Sequence, residues 1–274
     1  MRAMLLAGLI TALAQPVMAQ QARDWDILRD PSQQVTMAYT PFDNGLGIAV
    51  RCVNRSYEAL ITGLPPTEFD TRPLDVAFGD QELREQTWNV ATESRIAVSS
   101  RPAPFARKLR EGGTLSVRVP GAAEGGRNLL YVLELPASSA AIDATLAACG
   151  RPLVDPRDAE IGEIGRNGLT GGVSWVRRPQ VRYPDTRFAR GFAVLTCLAD
   201  PDGTLRSCVV EAEHPQGGGF GEAALIGARR ARLGVTADPD APVPPRFVSF
   251  RINFAVDTQT ARRTRHAPRT LAGD

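Results

Sequence analysis

The sequence predicts two domains: a mainly β first domain, sandwich-like or barrel-like with a terminal helix, and a smaller α+β domain, an antiparallel sheet covered by one helix. Three observations support this prediction. Short alternating runs separated by Gly, Pro and Asp turns fill the first half of the chain. In the second half, two alternating runs joined by a turn precede a helical pattern and a final alternating run. The four cysteines fall two to each domain.

The chain begins with the pattern of a secretory signal, predicted over residues 1–19. Arg2 precedes an apolar run over residues 3–14, and small residues just before Gln20 form a cleavage junction. A bilayer span needs about 20 apolar residues, and Pro16 interrupts this run well before that length. We therefore expect cleavage and export, with an uncleaved membrane anchor as the alternative.

The first domain is predicted over residues 20–151. Its strands, in chain order, cover residues 35–40, 47–53, 57–64, 72–78, 83–90, 114–119 and 129–135. Asn44 and Gly45 supply the positive φ angles of a tight hairpin turn between the first two strands. Helices are predicted over 104–110 and over 138–149, the second starting at a serine cap and ending before a glycine.

Composition and motifs argue against several classes of function. The net charge of +2 at pH 7 gives no reason to expect a nucleic-acid partner. The first domain contains no histidine, and neither Gly-x-Ser-x-Gly nor Ser-x-x-Lys occurs, so no nucleophile, base and orienting group can be assembled. Glycines recur between residues 162 and 172, but they follow no strand and open no helix, as a dinucleotide loop requires. We expect neither an enzyme nor a bound cofactor.

Four cysteines in an exported chain allow three disulfide connectivities. Pairing within each domain gives Cys52–Cys149 and Cys197–Cys208. Metal binding is the competing interpretation, but no CxxC is present and no histidine lies at ligand spacing. We therefore predict two disulfides and no metal site. The first of them staples the terminal helix of the first domain to a strand.

A glycine-rich stretch over residues 152–174 shows little apolar periodicity and is predicted to be a flexible linker. The second domain follows over residues 175–256 and starts with an extended, proline-containing segment. Strands and a helix are then predicted over residues 191–199 (strand), 205–212 (strand), 220–233 (helix) and 247–256 (strand). Residues 257–274 carry four arginines without apolar periodicity and are predicted to be a disordered basic tail.

The register of the second domain's hairpin decides whether its cysteines can bond. A two-residue loop within the turn at 200–203 sets Cys197 and Cys208 directly opposite each other. A four-residue loop sets them diagonally, and a three-residue loop with a bulge at Gly203 puts them on opposite faces. Pro201 lacks the N–H that the tightest register uses, which favours the diagonal register.

One pattern runs through the whole second domain. It consists of Pro179, Tyr183 and Pro184, Gly191 before the first strand, Asp202 and Gly203 at the hairpin, Phe220, Ala223 and Ala224 at the helix start, Leu233 at its end, and Val248, Phe250, Ile252 and Phe254 in the last strand. This pattern resembles the C-terminal domain of TonB-type proteins. Paired cysteines such as Cys197 and Cys208 are also similar to those of many members. The match covers the second domain alone.

The resemblance implies a periplasmic adaptor that binds an envelope protein, such as a peptide of an outer-membrane transporter, by strand addition to the edge of the C-terminal sheet. On this interpretation the partner-binding residues are Tyr183, Pro184, Phe247, Ser249, Arg251 and Asn253. The alternative for Ser249 and Arg251 is that they protect the edge strand from unwanted pairing.

TonB-type energy transducers also carry an uncleaved membrane helix and a long Pro-rich spacer, and neither is expected here. We therefore expect contact with a membrane through partners alone, unless the N-terminus is retained as an anchor. A membrane-anchored energy transducer for outer-membrane transport and a purely structural envelope protein are the two alternative functions.

Overall fold

The computed structural model describes residues 24–91 and 95–256. The described chain is mainly β, with antiparallel sheets and few helices, as the sequence predicts. The predicted signal over residues 1–19 and the predicted basic tail over residues 257–274 lie outside the described residues.

Nine strands of the first half form one antiparallel sheet. They are β1 (Asp26–Asp30), β2 (Val35–Pro41), β3 (Gly47–Val53), β4 (Ser56–Thr62), β5 (Thr71–Phe78), β6 (Arg84–Val90), β7 (Ala97–Val98), β8 (Gly113–Val119) and β9 (Leu129–Leu135). Their spatial order is β1-β2-β3-β4-β7-β6-β5-β8-β9. The seven strands predicted from the sequence are all present, while β1 and β7 were not predicted. All nine belong to one sheet rather than to the two sheets of a sandwich.

Two helices, α1 (Pro102–Leu109) and α2 (Ala140–Ala148), share one hydrophobic core with this sheet. From α1, the Phe105 ring meets the Trp88 ring edge-on at 5.1 Å between centroids. From α2, Ile142 and Leu146 are fully buried. The predicted disulfide between Cys52 of β3 and Cys149 at the end of α2 is present, with 5.5 Å between the Cα atoms. It ties the last helix of the first half to the sheet.

A second sheet has three strands, β11 (Arg190–Ala199), β12 (Leu205–His214) and β14 (Arg246–Ala255), in the order β12-β11-β14. The helix α4 (Phe220–Ala228) packs on one face of it, against β11 and β12. Phe220 of α4 lies over Gly191, where an added Cβ would come within 2.2 Å of the ring. The glycine before the first strand is therefore required by this close approach.

The helix predicted over residues 220–233 is too long, because α4 ends at Ala228. Instead, β13 (Arg232–Val235) pairs with β10 (Val173–Arg177) in a two-stranded sheet. The backbone N–H of Leu233 donates to the Gly203 carbonyl at 2.9 Å, which holds β13 against the hairpin turn. A Cβ on Gly203 would lie 1.9 Å from the Leu233 carbonyl oxygen, so no other residue fits that turn.

The turn between β11 and β12 has three residues, 201–203, closed by the bond from the Asp200 N–H to the Thr204 carbonyl at 3.0 Å. The predicted diagonal register, which assumed a four-residue loop, is therefore wrong. The predicted bond between Cys197 and Cys208 is nevertheless present, because β12 contains a bulge between Arg206 and Val209.

The face of the second sheet opposite α4 lies on the nine-stranded sheet. Phe192, Val194 and Ala212 of β11 and β12 form one buried cluster with Ala49 and Leu60 of β3 and β4. The chain thus stacks a helix layer, the large sheet, the small sheet and a second helix. The two predicted domains share an apolar interface.

The segment predicted as a linker, 152–174, crosses between the two sheets and contains the short helix α3 (Arg157–Glu160). Its apolar side chains Ile161, Ile164, Leu169 and Val173 are buried. The segment therefore belongs to the packed structure, and its flexibility stays a prediction.

Candidate functional site

The outer edge of β14 is partly covered by the chain itself. Residues 164–170 make a tight turn in which Ile164 and Thr170 form a β-bridge, and we call them the strap. The Arg251 N–H of β14 donates to the Gly168 carbonyl at 2.7 Å, and the Thr170 N–H donates to the Ser249 carbonyl at 3.0 Å. These two backbone bonds hold the strap on the edge at the middle of β14.

Beyond the strap, the edge of β14 is open. Backbone groups of a strand point alternately to its two neighbours, and Arg251 points outward because its N–H meets the strap. Asn253 and Ala255 therefore also point outward. Within residues 24–91 and 95–256, neither makes an outward backbone hydrogen bond. On the C-terminal side of the strap, this open part of the edge is short.

The side chains predicted to bind a partner from β14 have different environments. Ser249 is completely buried, and its hydroxyl bonds the Thr196 hydroxyl at 2.6 Å on the face toward the large sheet. Phe247 is half-buried, whereas Asn253 is exposed. The predicted alternation of the strand is confirmed, since Val248 and Phe250 pack in the core beneath α4.

Arg251 is the unusual member of this set. Its Nε and Nη1 atoms are buried and have no hydrogen-bond partner in the described part of the chain. Burial lowers the pKa of its guanidinium from the ordinary value. The strap bonds the backbone of both Arg251 and Ser249. These two residues therefore offer a partner neither a free backbone edge nor an exposed side chain.

Tyr183 and Pro184 lie elsewhere, in an extended segment that runs beside α4. The Tyr183 hydroxyl donates to the Phe188 carbonyl at 2.6 Å, and its ring meets Phe220 and Phe254 edge-on at 6.0 and 6.3 Å. Burial raises the pKa of the phenol. These contacts anchor the segment to the core of the second sheet. The six predicted partner-binding residues therefore do not form one surface.

A groove of about 750 Å³ separates this extended segment from the exposed face of α4, and we call it the α4 groove. Tyr183 and Pro184 line one wall, and Ile226, Arg229 and Arg230 line the other. Sequence reasoning missed the second wall. The signal that could have found it is the exposed Arg229-Arg230 pair at the end of a helix of small residues.

A buried charged cluster fastens the two sheets together. The Glu58 carboxylate of β4 is 1% exposed and accepts a hydrogen bond from Nδ1 of His214 at 2.8 Å. Arg51 of β3 donates to the other carboxylate oxygen at 2.7 Å. Burial opposes ionisation of Glu58, but the bond from His214 and the charge of Arg51 outweigh it, so the pKa of Glu58 is lowered. The arrangement is that of a structural ion cluster.

A second cavity, of about 510 Å³, lies between α1 and the connecting segment. Three of its basic residues are engaged: Arg107 pairs with Asp158, Lys108 with Glu111, and Arg110 with Asp143. Arg84 and Arg101 also line the cavity. The cavity lies along the contact between these elements.

Across residues 24–91 and 95–256, no three His, Cys, Asp or Glu side chains converge as metal ligands. No helix formed by those residues has the length and apolar character to cross a bilayer. The chain matches no protein-family model, no curated protein and no solved structure. The edge of β14 and the α4 groove are therefore the two candidate binding surfaces.

Proposed function

We propose that this chain is a TonB-like periplasmic adaptor that binds an extended segment of an envelope protein by adding a strand to β14. The observation that carries the proposal is the open end of that edge, where Asn253 and Ala255 point their backbone groups outward without partners in the described chain. Unpaired edge groups are the template that strand addition uses. The resemblance of residues 175–256 to TonB-type domains supports the same mode of binding.

The strap limits how far an added strand can extend. Two backbone bonds hold it to β14, and each contributes about 1 kcal/mol net. An incoming strand that displaces the strap replaces both bonds with its own. Binding then starts at Asn253 and Ala255 and proceeds toward Arg251 as the strap leaves the edge.

The two disulfides support the proposed location. Disulfides persist in oxidising compartments such as the bacterial periplasm, and all four cysteines of the chain are bonded. The signal pattern of residues 1–19 points to the same compartment.

The test compares Asn253→Pro with Asn253→Ala in capture of partners from an envelope extract. Proline removes the outward N–H and is tolerated at an edge position of a strand. Alanine removes the side chain but keeps the N–H. We expect Asn253→Pro to lose the captured partner and Asn253→Ala to retain it, with circular dichroism confirming that both variants are folded.

Equal capture by wild type and Asn253→Pro contradicts strand addition at this edge and favours a purely structural role in the envelope. Loss of capture by both variants points instead to the Asn253 side chain as the contact.

A further inference from the structure

The α4 groove has a wall of unpaired backbone. Residues 178–185 belong to no helix or strand, and in the described chain they make no backbone–backbone hydrogen bond. They lie directly on the helix, since a Cβ on Gly227 would come within 2.5 Å of the Val181 side chain and 2.9 Å of the Gln180 carbonyl oxygen. The wall is therefore held in place by packing on α4, and its backbone groups have no backbone partner in the described chain.

The groove also carries an excess of positive charge. Arg182, Arg229 and Arg230 line it, and Arg178 lies next to the lining segment. All four arginines are exposed, and none forms an ion pair within residues 24–91 and 95–256. Two carboxylates, Asp185 and Glu222, also line the groove. The rim therefore keeps a net positive charge that a negatively charged partner would neutralise.

An apolar position lies on the same surface. Ile226 of α4 is 55% exposed and belongs to the groove lining together with Val181 and Ala223. An extended peptide alternates its side chains every second residue, so one set can contact this apolar strip while the other set reaches the arginines. A flat lipid surface cannot enter a concave groove in this way.

We propose that the α4 groove binds an acidic, extended peptide segment of the envelope partner. The acidic side chains of that peptide pair with Arg182, Arg229 and Arg230. The inference rests on the proposed function, because the segment belongs to the protein that the adaptor binds. It concerns a surface separate from the β14 edge, so each surface can be tested without the other.

The test measures binding of fluorescein-labelled peptides to the purified chain by fluorescence anisotropy. The probe is a peptide of alternating Glu and Val, and its matched control alternates Lys and Val at the same length. We expect the acidic peptide alone to bind, and its affinity to fall when salt rises from about 0.05 M to about 0.5 M.

The variant is the double charge reversal Arg229→Glu with Arg230→Glu, expected to weaken binding about tenfold or more. The matched control is Arg29→Glu with Arg55→Glu, which makes the same change of net charge at two exposed arginines of the first sheet. That control is expected to bind as wild type. Melting temperatures of both double variants establish that they are folded.

Several results would overturn the inference. They are no binding of the acidic peptide to wild type, equal binding of both peptides, or equal weakening by the two double variants. Loss of peptide binding in Asn253→Pro would place the peptide on the β14 edge instead. Binding of phosphatidylglycerol vesicles through Arg229 and Arg230, without peptide binding, would assign the charge to a membrane. Unchanged peptide binding in Asn253→Pro separates this inference from the strand-addition proposal.

Discussion

Cys208 lies opposite Cys197, with 4.1 Å between their Cα atoms, because Ser207 is an extra residue in β12. The pairs nearest the turn are Ala199 with Leu205 and Leu198 with Arg206, but further along Thr196 pairs with Val209. Ser207 takes up the shift with a positive φ of 50°. The three-residue turn alone would have put the cysteines on opposite faces, and the bulge returns them to the same face.

Deletion of Ser207 is expected to keep the Cys197–Cys208 bond, because Arg206 pairs with Leu198 and Cys208, then the next residue, falls directly opposite Cys197 in a regular register. Thiol titration of the unfolded, non-reduced protein measures this directly, since the wild-type chain has no free cysteine among its four. The matched control, Ser207→Gly, keeps the residue count and tolerates the positive φ. Two free thiols in the deletion variant would contradict the assignment of Ser207 as the extra residue of the strand.

The two disulfides should differ in their effect on stability. Cys52–Cys149 closes a separation of 97 residues, and Cys197–Cys208 closes one of 11. In the chain-entropy model, the first bond stabilises the folded state by about 4–5 kcal/mol and the second by about 3 kcal/mol. We replace both cysteines of one pair by serine and measure the free energy of unfolding by urea denaturation. We expect a larger loss for the Cys52–Cys149 variant than for the Cys197–Cys208 variant. The reverse order would mean that native-state effects dominate.

The elements most readily predicted from sequence were those with local patterns. The bounds of β3 and β9 follow from the runs at Gly47–Val53 and Leu129–Leu135, where apolar residues and turn residues coincide. In contrast, β1 was missed because its side chains are almost all exposed, so no alternation reveals it. The end of α4 was misplaced because Leu233 looks helical by spacing, whereas contact with Gly203 places it in a strand.

The candidate site was harder to predict than the fold, for a physical reason. Tyr183 and Phe220 both belong to a pattern that the sequence shows, but the strap depends on Gly168 meeting Arg251, residues far apart in the chain. Glu58 and His214 are separated by 156 positions. Contacts between sheets leave no periodic pattern in the sequence. Periodicity therefore predicts where strands lie along the chain, but not which strands pack against each other.

The mature N-terminus separates the adaptor from a membrane-anchored energy transducer. We expect N-terminal sequencing of the exported protein to begin at Gln20, because the apolar run over residues 3–14 is shorter than a bilayer span. Substitution of the small residue Ala19 by Arg should block cleavage and leave the precursor in the membrane fraction. A wild-type protein that retains Met1 or Arg2 would contradict the adaptor proposal and favour the anchored transducer.

The Glu58 cluster predicts how stability depends on pH. The pKa of Glu58 in the folded chain is below its ordinary value of 4.5, so its contribution is complete above about pH 4.5 and is lost as the pH falls through the lowered value. Glu58→Gln should therefore melt below wild type at neutral pH, and the difference should shrink under acid conditions. Glu68→Gln, at an exposed carboxyl, is the control and should show no such convergence. A Glu58→Gln deficit that stays constant from neutral to acid pH would mean that the ionised carboxylate contributes nothing, and that the cluster acts through packing alone.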